Sequence, residues 1–408
     1  MSKTKQIRLQ SGELSYSTIL LFLIAIVPLM DSLNGLLNGG GNDGGLSVGV
    51  LYRLIVIGFS LLIIMRMGIT VYKLVYFFAL LGFCIISVGL FEGVGSTYTM
   101  LLFRLILPMV IITAVDTCVD HRSMSIVSIE KVFGCWTILF PLSIIFPYIL
   151  GIGFHTYGGD GAAGFKGLYY AQNDVGYVLA VLFVYAMFKL WKKIDLYNVV
   201  AVLLLLLTNF ILGLKSNYLI IVVVFIAFLL NTKQLRKKLL SKIAITILIL
   251  AGVFFILHQY QSDIQNIINR WHYFYYQNGG LSFWTSSRSD RVPSAFHWLL
   301  DRYGGLGILF GSGTGYTAHT IAGTINVVEM DFFDVFFQLG LFGTIFVYGF
   351  YIQRVIRYGE RSVYKWMFYL SLVSSTLAGH VLESALSGMV FALVCSALYA
   401  SYVADQLD

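Results

Sequence analysis

Charge is what this chain has least of. Asp, Glu, Lys and Arg make up 12% of 408 residues, whereas a soluble domain carries about 25%. With 58% hydrophobic residues and a mean hydropathy of +0.82, an ordinary soluble enzyme is excluded. Cysteine is also scarce: Cys84, Cys118, Cys135 and Cys395 lie in or beside apolar segments, which argues against a disulfide framework or a cysteine metal site. No internal repeat is visible, so a transporter built from two related halves lacks its usual signature. Met1 to Ser15, with Lys3, Lys5 and Arg8, has no small-residue cleavage site after the first apolar run. It reads as a cytoplasmic tail leading into a retained helix.

What is present is a series of apolar runs of roughly 18 to 25 residues, each able to cross a hydrocarbon core of about 30 Å. The fold class is an all-α polytopic membrane protein. About twelve helices are predicted, over 16-37, 47-66, 72-92, 98-117, 131-152, 173-190, 197-214, 216-231, 240-258, 331-354, 365-383 and 384-404. The chain then divides into transmembrane helices over 1-258, a large extracytoplasmic loop with a short amphipathic helix over 259-330, and further transmembrane helices over 331-408.

Basic residues accumulate on the cytoplasmic side of membrane proteins. With both termini inside, the cytoplasmic segments hold Lys3, Lys5, Arg8, Arg66, Lys73, Arg122, Lys131, Lys189, Lys192, Lys193, Lys233, Arg236, Lys237, Lys238, Lys242, Arg354, Arg357, Arg361 and Lys365, which is 19 of 27. The run from Lys233 to Lys242 therefore reads as a topology determinant that also meets anionic lipid, not as a nucleic-acid patch. Outside lie Lys166, Lys215, Arg270, Arg288, Arg291 and Arg302, while Arg53 and Arg104 fall within predicted helices.

A charge inside a membrane helix costs several kcal/mol and is retained where it meets an aqueous cavity or a partner. Arg53 and Arg104 imply either a polar interior that receives an anion or an ion pair, with Asp31 or Glu383 as partner. In the polar stretch, Ser289 or Asp290 is expected to cap a helix from about Arg291 to Tyr303, with Val292, Ala295, Phe296, Leu299 and Tyr303 on one face and Ser294, His297 and Asp301 on the other. Arg288 and Arg291 beside that helix start form a candidate phosphate site. Glu329, Asp331 and Asp334 open the next membrane helix, where carboxylates suit the helix dipole, or where one serves as a general base. The aromatics Trp271, Tyr273, Phe274, Tyr275, Tyr276, Phe283 and Trp284 either anchor in the bilayer interface or stack on sugar rings. The glycine-rich segments Asn38 to Gly45 and Gly151 to Gly167 read as connectors or as backbone close to substrate. His155, His297 and His319 are too scattered for a zinc site. Gly311-Ser312-Gly313-Thr314-Gly315 lacks the Lys-Ser/Thr of a P-loop and reads as a turn or as backbone approaching substrate.

Several short motifs resemble the O-antigen polymerase and O-antigen ligase superfamily. They are Gly164-Phe165-Lys166-Gly167 through Gln172-Asn173-Asp174-Val175-Gly176; Gly213-Leu214-Lys215-Ser216-Asn217; Arg288, Trp298 and Leu309-Phe310-Gly311-Ser312-Gly313-Thr314-Gly315; and Glu329 to Gly340-Leu341-Phe342-Gly343. Asp31-Ser32-Leu33-Asn34-Gly35 and Ser47-Val48-Gly49-Val50-Leu51-Tyr52-Arg53 resemble the opening of capsular and exopolysaccharide polymerases. Where ligases of this superfamily carry a His-Asn pair, this chain has Glu329-Met330. That favours a repeat-unit polymerase over a ligase. Lys215 stands where the family has arginine, so an arginine's role is not carried over to it.

The resemblance implies a GT-C-like fold in the bacterial cytoplasmic membrane and a glycosyltransferase acting at its outer face on undecaprenyl-pyrophosphate-linked glycans. It also implies a flippase and a chain-length regulator as partners. Arg53, Arg104, Lys166, Lys215, Arg288 and Arg291 would bind pyrophosphate. Glu329, Asp331 and Arg288 would be catalytic, and Asn173, His319 and Asp334 would make other substrate contacts. No cofactor or metal is expected, because pyrophosphate is already an activated leaving group that arginines can hold. The alternatives are an O-antigen-ligase-like transferase to a lipid or protein acceptor and a transporter or flippase of the same lipid-linked sugars.

Overall fold

The computed structural model describes residues 16–38, 47–68, 71–91, 96–157, 163–230, 261–359, 362–377 and 379–407. The predicted helix at 240-258, the basic run Lys233 to Lys242 and most of the glycine-rich segment Asn38 to Gly45 lie outside the described residues. Helices α1 (Tyr16–Ala25), α2 (Val27–Leu37), α3 (Val48–Met67), α4 (Val71–Phe91), α5 (Ser96–Asp120) and α6 (Ile126–Leu150) lead to a hairpin of β1 (His155–Tyr157) and β2 (Ala163–Phe165). Then come α7 (Gln172–Lys192), α8 (Leu196–Leu212), α9 (Lys215–Leu230), α10 (Gln261–Thr285), α11 (Val292–Phe310), α12 (Thr314–Ile321), α13 (Asp331–Tyr358), α14 (Val363–Leu377) and α15 (Ala385–Leu407).

The protein is thus predominantly helical. Among the described residues, α3, α6, α7, α13 and α15 are long and apolar enough to cross a membrane, and α1 with α2 makes a sixth if the bent pair is one span.

Local chemistry sets the helix ends. Asp195 accepts from the Asn198 N–H at 3.0 Å and so caps the start of α8, a role worth about 1 kcal/mol. Gly213, with φ of 75°, ends α8 in the left-handed conformation and lets α9 begin two residues later. The segment from Gly151 to Gly167, read from sequence as a connector or as backbone close to substrate, contains the antiparallel hairpin, with His155 opposite Phe165 and Tyr157 opposite Ala163.

Over 259-330, α10, α11 and α12 account for most of the described residues. The expected amphipathic helix is present as α11, and Pro293 is accommodated in its first turn. Neither Ser289 nor Asp290 caps it. Those residues form a 3-10 turn, with Asp290 accepting from Ser282 and Ser289 meeting Thr285. The inner face holds the fully buried Ala295 and Leu299, which cluster with Tyr316, Val328, Met330 and Phe337. Ser294, His297 and Asp301 are exposed, and Phe296 turns out to be exposed with them.

Contacts divide the chain into two compact units. One unit gathers α1, most of α3, α4, α5 and the chain from Gly280 onward; the other gathers α2, most of α6, α7 to α9 and most of α10. In the first, α15 packs along α5 while α11 and α4 pack against α13. In the second, α7 packs against α8 and α9, and buried Asn217 ties the three by donating to Gly176 O (2.9 Å) and Asn209 Oδ1 (2.6 Å).

Helix α13 breaks at Gly340 (φ 67°, ψ −172°). The break frees carbonyls that a helix would otherwise satisfy. The Gly311-Ser312-Gly313 turn supplies the missing donors: Ser312 N–H to Phe337 O and Gly313 N–H to Gln338 O, both at 2.9 Å, with Ser312 Oγ also donating to Phe337 O at 2.8 Å. A Cβ on Gly340 would lie 2.4 Å from backbone atoms of residues 309 to 311. Gly311 to Gly313 form the turn read from sequence, Thr314 and Gly315 instead open α12, and the turn's partner is the break in α13.

Candidate functional site

Arg288, Arg291 and Glu329 meet. Arg288, 7% exposed, donates from Nε and Nη2 to Glu329 Oε2 at 3.2 and 3.1 Å. Arg291 donates from Nη1 to Val327 O at 2.8 Å and lies 3.5 Å from Glu329 Oε1. Two guanidinium groups therefore close on one carboxylate. The backbone is bent to allow it: Ser286, Ser287 and Glu329 have φ of 57°, 63° and 62°, three of the four left-handed non-glycine residues among those described. Such conformations persist where surrounding contacts enforce them, and they cluster at functional sites.

Two residues along the chain, a second polar centre begins. Asp331 is fully buried at the start of α13 and its Oδ2 accepts from the N–H groups of Val381 and Leu382 at 2.6 and 2.7 Å. Its Oδ1 is 3.3 Å from His380 Nδ1, and Glu383 Oε2 is 4.0 Å from the same nitrogen. Glu383 is 7% exposed, and its Oε1 has no hydrogen-bond partner. Arg104 is exposed on α5.

This geometry corrects the helix predicted over 365-383. Helix α14 ends at Leu377, and residues 379–384 are irregular. Gly379 has φ of 138°, and the amides released there are taken up by Asp331.

Asp334 joins the first polar centre to the core. It accepts from Tyr316 OH at 2.5 Å and from Met330 N–H at 2.9 Å, while Tyr316 OH accepts from Val328 N–H at 2.9 Å. Burial and the neighbouring Asp334 carboxylate push the Tyr316 hydroxyl well above the usual tyrosine range, so it remains a donor. These bonds flank Glu329 on both sides and hold it in place. Asp334, a candidate for substrate contact, has both oxygens committed to this lock.

No family model, no curated protein and no solved structure matches this chain.

The remaining sequence candidates are placed as follows. Arg53 is half-buried in α3. His319 pairs through Nδ1 with Thr324 Oγ1 at 2.8 Å and lies against Trp298 with ring centroids 5.2 Å apart. Lys166, Asn173 and Lys215 belong to the other unit. Lys166 Nζ donates to Tyr170 O at 2.6 Å, and burial lowers its ammonium below the usual lysine range. Asn173 stands in the first turn of α7 and Lys215 opens α9.

His380 is not among the sequence candidates, and Glu383 enters the sequence reading only as a possible arginine partner. The signal was there: two ionisable groups and Gly379 within an otherwise apolar run.

Proposed function

We propose that the protein is a polysaccharide polymerase that joins undecaprenyl-pyrophosphate-linked repeat units by glycosyl transfer at the outer face of the cytoplasmic membrane. The observation that supports this reading is the convergence of Arg288 and Arg291 on Glu329. Guanidinium forks that hold a carboxylate also match phosphate oxygens, bidentately and with opposite charge. A pyrophosphate that takes the two arginines keeps them paired and releases the Glu329 carboxylate beside them.

The reaction then has its parts. The acceptor sugar hydroxyl attacks the anomeric carbon of the donor, and its proton passes to Glu329. A carbon–oxygen bond forms to the acceptor as the bond from that carbon to the pyrophosphate oxygen breaks. The electron pair leaves on lipid pyrophosphate, whose charge the arginines stabilise. Donor binding and release of the base are one event, which protects the donor from reaction with water. In this reading about twelve helices span the membrane with both termini cytoplasmic, the arginine centre lies outside, and a flippase and a chain-length regulator work alongside.

A second reading is a carrier of the same lipid-linked sugars, favoured by the break in α13 at Gly340, since transporters use discontinuous helices at binding sites. The test is purified protein in detergent with a defined lipid-linked repeat unit. Lengthened lipid-linked products support the polymerase. Binding without lengthening supports the carrier, and transfer of glycan to a separate lipid or protein acceptor supports the ligase.

A further inference from the structure

We propose that Asp331, His380 and Glu383 form a binding site for one divalent transition-metal ion. One ligand atom from each lies within 4.8 Å of the other two. His380 Nδ1 is 3.3 Å from Asp331 Oδ1 and 4.0 Å from Glu383 Oε2. Donors about 2.1 Å from a shared ion stand roughly 3.0 to 3.4 Å apart when adjacent and about 4.2 Å when opposite. Both distances fall within that span.

An independent observation comes from Glu383, which is 7% exposed while its Oε1 lacks any hydrogen-bond partner. A buried carboxylate oxygen without a donor is costly, and a cation removes that cost. The surroundings are built as metal sites are. Asp331 Oδ2 is fixed by two backbone N–H groups, which orients the carboxylate and leaves Oδ1 facing the imidazole. Asp334 is saturated by Tyr316 and Met330 and does not serve as a ligand.

One nitrogen and two carboxylates suit Zn²⁺ or Mn²⁺ better than Mg²⁺ or Ca²⁺, which prefer all-oxygen sets. The His380 side chain is 30% exposed, giving the ion a way in.

The site is independent of the polymerase reading, and its test contains no glycan. The full chain, purified in detergent and stripped with chelator, is titrated with Zn²⁺ and with Mn²⁺ by calorimetry, and the Mn²⁺ form is examined by pulsed electron paramagnetic resonance. One ion per chain is expected, with a single coordinated imidazole nitrogen. Glu383→Gln and His380→Ala should each weaken binding at least tenfold. Absence of saturable binding to the unaltered protein, an all-oxygen Mn²⁺ spectrum, or unchanged affinity in both variants overturns the proposal. The spectrum comes from the unaltered chain, so it decides the matter even if a variant fails to fold.

Discussion

Replacing Arg288 with alanine separates a structural role of the arginine centre from a catalytic one. Arg288 donates twice to Glu329 Oε2, at 3.2 and 3.1 Å, and hydrogen bonds to charged groups contribute about 1.5 to 3 kcal/mol. The Arg288 side chain is 9% exposed but that of Glu329 is 35% exposed, so water screens the carboxylate that is left behind. Two bonds sharing one oxygen do not add. The expected loss of stability is therefore at the low end, about 1.5 to 2 kcal/mol. Adding Glu329→Gln to Arg288→Ala removes the orphaned charge, and the double variant should be about 1 kcal/mol more stable than the two single losses predict. Denaturation of the purified variants in detergent measures this cycle. Catalysis should respond more strongly, because a group that stabilises charge in the transition state is worth about a hundredfold or more in rate. Arg288→Ala should thus slow lengthening of lipid-linked repeats at least a hundredfold while the fold survives. Lengthening within threefold of the unaltered protein, at equal protein level, refutes the pyrophosphate role.

Gly340→Ala places a Cβ 2.4 Å from backbone atoms in a conformation with φ of 67°, and should cost about 3 kcal/mol or more; Gly58→Ala, where a Cβ meets nothing within 4 Å, should change stability by less than about 1 kcal/mol in either direction. Melting of the two variants in detergent makes the comparison. Arg354→Ala leaves Asp116, 1% exposed, without the guanidinium that donates to both its oxygens at 2.8 and 2.9 Å. It should cost about 3 to 5 kcal/mol, whereas joint replacement by Met and Leu should recover most of the loss; the melting temperatures of single and joint variants decide.

The apolar runs announced helices at nearly the right places because a membrane-length run is a strong and local signal. Helices α3, α7 and α13 begin within a residue of their expected starts. Polar segments were less legible, because their order depends on partners far away. The cluster around Leu299 draws on residues from 295 to 337, which no local period reveals; of the three helices in this stretch only the amphipathic α11 is legible in the sequence. Arg288 and Glu329 were each identified from the sequence, but their pairing across 41 positions was not. Arg354 was counted among the cytoplasmic cations, yet it is 4% exposed and paired with Asp116. A basic residue near a helix end has the same appearance in either role.

Glu329 carries a further consequence because its neighbours go separate ways. Glu329 turns to the arginines, Met330 enters the core cluster, and Asp331 reaches the 379–384 segment. Three consecutive residues serve three places because the chain reverses through the left-handed φ of 62° at Glu329. For a side chain other than glycine that conformation costs roughly 1 to 2 kcal/mol, a cost glycine does not bear. Glu329→Ala and Glu329→Gly remove the same carboxylate and differ in strain alone, apart from the greater freedom glycine gives the unfolded chain, worth up to about 1 kcal/mol the other way. If the bend is enforced by Tyr316 and Asp334 as the hydrogen bonds indicate, the glycine variant should equal or exceed the alanine variant in stability. Both should lose activity alike if the carboxylate is the base. An alanine variant clearly more stable than the glycine variant would mean that Glu329 itself holds the bend, through its arginines, and that the lock around Tyr316 forms only after that ion pair.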